Sequence, residues 1–582
     1  MGLEQGRDYL FAPQTSPRLG GNFMSGMGIY RDGKRLCNFE VAVTQIYRWA
    51  DGPNCGALAF IDLHLRSDAG CYQERVPAEC IGKLEFLKRH PDLCLYQRRY
   101  RDSLSACLSE RLSEYLQRNT GGLAFCQTGL HRLEKGAVFV AGNRVIGGCE
   151  VDAIFSQDIA RLHLEPARYE SGRQAEELLE RLQANDPFVT TPVFAFGILT
   201  ALQSLVLECG IPLASVLYIS GRSGLGKTET VKRFFAVYDQ DNTGRPALIT
   251  EAGSTMAGFR ENLRAARDLP VVLDDLCLST GKDSQRKRLQ TGAQVIREAA
   301  NKGAVRTKAG EHGMLPSTEA GVAITAEFDM QTVSDVTRCI IVSLDHPMKG
   351  GRTDDRSIAA GALSAFLEWF LPRYEQEAQL LRERYQATTE NKRLDRLATG
   401  QFCLQWAFER FMRFAVETGA TDETCYKETI RFFDRTLKIW NKKQKQILDR
   451  IESAIIKESI PCLLWKGIQK KIIPVHQKLK KLEEGYAVIR GQDLFLPPGV
   501  AEWFISVQNG YRGINRNRIG RALKLAGVLV THESDKANTV KPAQGFHRVY
   551  HIRLDQLEKA ALFETGGNGF ENSTSASTFR GF

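Results

Sequence analysis

Apolar and polar positions change rhythm several times along this chain. From about Met27 to Cys80 they alternate, as in LCNFEVAVTQIYRW and GALAFIDLHLRS, with Gly and Asp turns between the runs. A period of two puts successive side chains on opposite faces of a sheet, so this stretch predicts a small β-rich unit. Lys83 to Arg118 then carries helical spacing, and short strands are expected around LAFCQTGLHRL and GAVFVAGNRVIGG. The acidic–basic segment GRQAEELLERLQAND reads as a surface helix leading to Pro187.

From about Pro187 to Lys349 continuous apolar runs alternate with helical stretches, the pattern of a parallel α/β sheet. Arg352 to about Ile460 is almost wholly helical in spacing. Its aromatics (Phe366, Trp369, Phe370, Phe402, Trp406, Phe408, Phe411, Phe414) recur at helical intervals, which fits a bundle core better than a base-stacking surface. NKKQKQILDR and KGIQKKIIPVHQKLKKLEEG read as a basic connector, followed by a small α+β unit from about Tyr486 to Leu557. The expected domains are therefore 1–120, β-rich then helical; 121–186, a connector of short strands and a helix; 187–350, the α/β unit; 351–483, helical; 484–560, α+β; and 561–582, a Gly/Ser/Thr/Asn-rich tail expected to be disordered. No internal repeat is visible.

The length of 582 residues calls for several domains, and 43% apolar with 25% charged residues is the balance of a soluble globular protein. The net charge of +10 is a mild pointer to a polyanionic partner. The N-terminus lacks a basic segment followed by an apolar run, so no secretory signal is read and a cytoplasmic location is expected. The most apolar long window, TPVFAFGILTALQSLVLECG, contains Gln203 and Glu208 and runs into the next strand; it is expected to be a buried helix and not a membrane span. Eight of the fourteen cysteines lie between Cys37 and Cys149 without ligand spacing, which favours buried thiols over a zinc site.

Chemistry concentrates in LYISGRSGLGKTETVKRFF. Gly221, Gly226, Lys227 and Thr228 satisfy the phosphate-loop pattern, SVLYIS is an apolar strand, and the helix begins at the lysine, as phosphate binding requires. Backbone N–H groups of Gly221, Arg222, Ser223, Gly224, Leu225, Gly226, Lys227, Thr228 and Glu229 are candidates to wrap the phosphates at the positive end of that helix. Lys227 is expected to reach the β- and γ-phosphates of ATP, and the Thr228 hydroxyl to ligate Mg2+. The strand LPVVLDDLCL supplies a second acidic site, with Asp274 assigned to the metal and Asp275 to the attacking water. Paired acids at a strand end also occur as helix caps. Thr325 ends the strand EAGVAITAEF, and Arg338 precedes the strand in SDVTRCIIVSLD. Arg338 is either a residue acting on a neighbouring subunit's ATP or an ordinary ion-pair partner.

The order of these segments, with IREAANKGAVRTKAG between the acidic strand and Thr325 and CQTGLHRLEKGAVFVAGNRVIGG upstream, resembles the AAA+ ATPases of plasmids, prophages and staphylococcal cassette elements. Those are similar to MCM-type replicative helicases. The resemblance covers roughly Leu123 to Asp345 and departs at the Asp-Asp pair, where Glu usually stands second, and at GLH. It implies a hexameric ring moving on DNA, with Thr325 sensing the γ-phosphate. It further implies a channel hairpin at NKGAVRTKAGEHG, making Lys302, Arg306 and Lys308 candidate DNA contacts or a solvated basic turn. At the C-terminus two helices and a pair of strands make the pattern of a winged helix. Arg516, Arg518, Arg521 and Lys524 on or beside its second helix are the DNA-contact candidates, unless the unit docks protein. The expected fold is thus an α/β phosphate-loop AAA+ core with a β-rich N-terminal region, a helical region and a C-terminal winged helix. The expected activity is ATP-dependent DNA unwinding in the replication of a mobile element. Its rival is a DNA-binding switch ATPase that does not unwind. A primase activity would have only Asp62 and His64 to build on.

Overall fold

Three antiparallel strands, Phe39–Trp49, Leu58–Ser67 and Gly70–Pro77, follow from the alternating N-terminal pattern. Their buried positions, among them Phe39, Val41, Ile61, Leu63 and Leu65, pack with Leu104 and Leu108 of the helix Arg101–Arg118. The computed structural model describes residues 27–31, 33–147, 151–167, 170–238, 248–252, 256–277, 282–301, 319–330, 332–348, 355–390, 394–458, 460–505, 515–530 and 538–565. The α-helix starts later than the spacing from Lys83 suggests. Only short 3-10 turns precede Arg101, because Pro91 cannot donate to a helix ladder and biases His90 away from helical backbone.

Two further strands, Gly122–Phe125 and Ala153–Phe155, join the same sheet in parallel, with Tyr47 opposite Gly122 and Leu123 opposite Ala153. The boundary expected at 120/121 therefore falls inside one sheet. The strands Gly129–Leu133, Gly136–Val140 and Val145–Gly147 form a separate antiparallel sheet. Its Leu130, Phe139 and Ile146 belong to the large core that follows.

That core is built on five parallel strands: β1 Val216–Gly221, β2 Ile249–Glu251, β3 Pro270–Leu276, β4 Gly321–Ala326 and β5 Cys339–Leu344. Their order is β2-β3-β4-β1-β5, so the first strand lies between the fourth and the fifth. Four of the five strands are buried along nearly their whole length, which is why they read as continuous apolar runs. Helices α1 (Ser171–Ala184) and α2 (Pro187–Ala201) lead into the sheet, and α3 (Lys227–Phe235) follows β1 directly. The apolar window from Thr191 is split between α2 and the short helix Gln203–Glu208, and most residues of both are buried. Among the described residues no helix is long and apolar enough to cross a membrane.

One apolar cluster runs from Leu130 to Ile447, through the sheet and the helices beyond it. The divisions expected at 186/187 and 350/351 are thus no breaks in packing. Phe366 packs against Phe411 and Phe414, and Phe370 against Trp406, so the aromatic stripe is bundle core. NKKQKQILDR is not a connector: it lies inside α4, a single 36-residue helix from Glu423 to Glu458. Trp440, Gln444 and Ile447 anchor it there, buried at helical spacing between the lysines.

A second, separate core joins Ile460, Leu464 and Ile473 to Leu494, Ile519, Leu523, Ile552 and Leu557. It starts well upstream of residue 484, because the helix Ile460–Gln469 packs into it. Its sheet orders Val475–His476, Ala487–Arg490, Asp493–Leu496 and Tyr550–Arg553, and it carries helix α5, Arg516–Leu525. The strand expected after α5 is reduced to an isolated bridge between Leu529 and Ile552. The first residues of the expected tail continue the helix Leu554–Thr565, and 566–582 lie outside the described residues.

A candidate phosphate-binding site at the carboxyl end of the sheet

The loop between β1 and α3 leaves the sheet at its carboxyl end. Gly224 and Gly226 have φ of 78° and 89°, a left-handed conformation that costs glycine nothing and most other residues about 1 kcal/mol or more. Gly226 then caps α3 without any side-chain hydrogen bond to the first turn. Those first-turn amides are left directed at the loop, at the positive end of the helix dipole. Lys227 is 7% exposed, and its Nζ donates to the carbonyls of Gly221 (2.8 Å) and Arg222 (2.9 Å). The ammonium is thereby held across the mouth of the loop. Leu225 accepts a hydrogen bond from Met348 N (3.0 Å), which ties the loop to the segment after β5. Arg222, Ser223 and Glu229 point outward; Glu229 pairs with Lys232 at 3.3 Å.

The acidic strand lies two places from β1, across β4. Asp274 is buried, and its Oδ1 accepts from Thr228 Oγ1 (3.1 Å) and from Thr325 Oγ1 (2.5 Å). Thr325 Oγ1 in turn accepts from Asp275 N (2.9 Å). Four residues from three segments more than forty positions apart are thus joined by one chain of hydrogen bonds. Hard oxygen donors of this kind, a hydroxyl and a carboxylate, suit Mg2+. Asp275 is exposed and adopts φ of 60°, where the pairing of β3 with β4 slips between Leu273 and Leu276. The slip turns the second carboxylate out of the sheet while the first stays buried in it.

Sequence reasoning had no access to the supports behind this site. Arg233 on α3 is buried near Asp355 (3.7 Å), which Arg181 of α1 also approaches (3.5 Å). Beneath β3, Asp268 is fully buried, accepting from Leu130 N (2.9 Å), Ser204 N (2.7 Å) and Ser204 Oγ (2.6 Å). Burial pushes its carboxyl up to about 6. His131, one residue on from Leu130, is held neutral down to about 4, chiefly by burial and then by Arg267. The small antiparallel sheet is so fastened to the foot of the strand that carries both acids.

Arg338 lies at the opposite end of the sheet. Val216 N bonds to its carbonyl at the start of β1, whereas the loop leaves β1 at Gly221. Its Nη1 donates to Ser334 O and Oγ, both at 2.6 Å. Burial first, and Arg396 and Arg297 after it, push the guanidinium pKa down, with Asp335 opposing. Lys302, Arg306 and Lys308 lie outside the described residues. On α5, Arg518, Arg521 and Lys524 share the exposed face opposite the buried Ile519, Ala522 and Leu523, while exposed Arg516 pairs with Glu502 at 3.1 Å. Asp62 is engaged by Arg75 at 2.7 Å.

No protein-family model matches this chain, and no curated protein matches it. Among solved structures, one described as the active helicase Cch of SCCmec type IV aligns with 90% of this chain and 96% of its own. The identity is 13% and the TM-score 0.53, so the likeness is one of fold, and it extends over nearly the whole of both chains. Two structures of JCV helicase align with 38% and 44% of this chain, and with 69% and 75% of their own, at 12% and 11% identity; their TM-scores of 0.19 and 0.20 carry no argument. The chain thus has an α/β core with a parallel sheet, in a fold shared with a helicase of a mobile element.

Replacing Asp275 with asparagine is expected to leave ATP binding intact and slow hydrolysis about 10²–10⁴-fold, the usual weight of a positioned proton acceptor. Asparagine tolerates left-handed backbone as aspartate does, so the fold of the strand end is kept. Phosphate release and nucleotide binding measured side by side check it; lost binding with Mg2+ no longer helping would reverse the roles of the two acids.

Proposed function

We propose that this protein is an ATP-driven DNA helicase of the AAA+ class, similar to MCM-type motors, that assembles as a ring, most simply a hexamer, and serves the replication of a mobile genetic element. The observation that carries the proposal is the hydrogen-bonded set Thr228–Asp274–Thr325–Asp275 beside the Lys227 loop. Its strand order, with the phosphate-loop strand between the fourth and fifth, supports the AAA+ assignment.

On this reading, bound ATP with Mg2+ supplies the phosphoanhydride and the neutralising charge for phosphoryl transfer to water. Lys227 and the first-turn amides of α3 hold the phosphates. Thr228 and Asp274 hold the metal, with the Asp274 carboxylate fixed by Thr325. Asp275, exposed and aimed out of the strand, orients the attacking water and accepts its proton. Thr325 donates to the Asp274 carboxylate and accepts from the Asp275 backbone N–H, and so couples the positions of the two residues. Arg338 belongs to the neighbouring subunit's site: a guanidinium crowded by burial and by two other arginines is stabilised when an anion arrives. Lys302, Arg306 and Lys308 would grip single-stranded DNA in the channel. The C-terminal unit would act as a winged helix, with Arg516, Arg518, Arg521 and Lys524 on duplex phosphates.

Strand displacement on a forked duplex tests the proposal. Wild type is expected to unwind with ATP and the Lys227→Ala variant not to; ATP hydrolysis without any displacement would leave a switch ATPase instead. Removing residues 460–582 is expected to preserve basal hydrolysis, because the apolar cluster holding the site ends at Ile447 and the C-terminal core is separate. Duplex affinity should fall, and its salt dependence should lose about 0.9 of a unit of slope for each phosphate contact removed. Unchanged affinity and slope would make the C-terminal unit a protein-docking module.

A further inference from the structure

We propose that the outer face of α4 is a binding track for single-stranded DNA, separate from the nucleotide site and from the cations assigned above. Lys427, Arg431, Arg435, Lys438, Lys442 and Lys445 follow one another at intervals of four, four, three, four and three residues. At 3.6 residues per turn these intervals keep all six within about 40° of one line along the helix, over about 27 Å. All six are exposed. The core-facing residues Phe433, Leu437, Trp440 and Ile447 centre on the opposite side. Among the described residues none of the six stripe cations makes an ion pair, whereas Lys443, just off the line, is taken by Asp345 at 2.6 Å.

Six like charges on one helix face repel one another and weaken the helix, and the acids beside them, Glu428, Asp434 next to Lys438, and Asp449 beyond Lys445, are too few to balance them. The cations are in place for a partner of opposite charge. Arg431, Arg435 and Lys438 also line a groove of about 860 Å³ between α4 and the helices α1 and α2. Glu428 and Asp434 line it too, but the Asp434 carboxylate accepts from Gln405 (2.8 Å). From Lys427 to Lys445 the chain carries seven cations and two acids.

The groove has apolar surface beside its charged and polar residues. Leu179, Leu182 and Pro187 form one wall and Phe432 stands among the arginines. The Phe432 ring lies 5.0 Å from that of Phe188, which is 38% exposed, so two aromatic rings adjoin the cations. Basic residues that track a backbone, beside aromatic rings on which bases stack, are the means by which proteins hold single strands. A polyacidic peptide without apolar side chains would use the charges and leave the rings idle. A duplex presents its bases edge-on inside two backbones and cannot lay a base on Phe432.

Equilibrium binding of oligodeoxythymidylate to the full-length protein, without nucleotide and over a salt series, tests the track apart from the helicase reading. The triple variant R431Q/R435Q/K438Q is expected to bind more weakly, with a salt slope smaller by about two units, at about 0.7 per phosphate contact on a single strand. R431K/R435K should restore the slope, and Phe432→Leu should lower affinity with the slope unchanged. Cys425, exposed at the groove, gives a readout in the unaltered protein: oligodeoxythymidylate should shield it from alkylation, as read on its peptide. Unchanged slope in the triple variant, or Cys425 modified equally with and without the oligonucleotide, would overturn the proposal. Equal shielding by polyglutamate would overturn it in favour of an acidic peptide.

Discussion

Lys227→Ala is expected to reduce ATP hydrolysis to background. The side chain is the one cation buried inside the loop, and its ammonium already lies on the carbonyls of Gly221 and Arg222, at the rim where phosphates would enter. Losing a single pre-organised charge contact in a water-poor site costs about 10²–10³ in turnover. The substitution also removes the donor from two carbonyls, about 1 kcal/mol or more each if they remain buried. Thermal unfolding must therefore be followed beside phosphate release. A variant that unfolds like wild type and does not hydrolyse is the expected result; a variant that turns over within a few-fold of wild type would remove the site from the loop.

Arg338→Ala is expected to abolish hydrolysis in assembled protein while sparing nucleotide binding. The six residues of β5 separate Arg338 from the end of the sheet where Gly221 begins the loop, about 20 Å at the rise of a strand. No arginine side chain spans that, so Arg338 can reach phosphate only on another copy. Arginines that complete a neighbour's site are worth about 10³–10⁵ in turnover. Mixing Arg338→Ala with Lys227→Ala should therefore restore part of the activity, since some interfaces then pair an intact loop with an intact arginine. Absence of rescue at every mixing ratio, with assembly verified, would leave Arg338 as the partner of Ser334 alone.

Much of the candidate site could be picked out without coordinates because its residue patterns are local. Each of the loop, the acidic pair and Thr325 ends an apolar strand, and a strand end is visible in the sequence as the place where apolar residues stop. What brings the three ends together is the strand order, and no residue encodes that order by itself. The same limit explains the misplaced boundaries. Strands of three and four residues at 122–125 and 153–155 are too short to show a period, so their pairing with Phe39–Trp49 was illegible. In α4 the run of lysines masked Trp440, Gln444 and Ile447, although these keep helical spacing. Asp268 and His131 resemble surface residues in the sequence. Only the fold reveals that they are buried against Ser204 and Asp51, whose Oδ2 lies 3.7 Å from the imidazole.

The left-handed backbone at Asp275 has an evolutionary consequence. Of the side chains that could carry a negative charge there, aspartate tolerates this conformation far better than glutamate does. The dihedral angle therefore favours aspartate over glutamate after Asp274, apart from any demand of proton transfer. A lineage of this protein can exchange residue 275 among Asp, Asn and Gly at little conformational expense, but only the first of these keeps a carboxylate. The longer acid would carry a conformational cost of about 1 kcal/mol there, as Leu84 and Lys471 do at their own left-handed positions, unless the slip between Leu273 and Leu276 were straightened first.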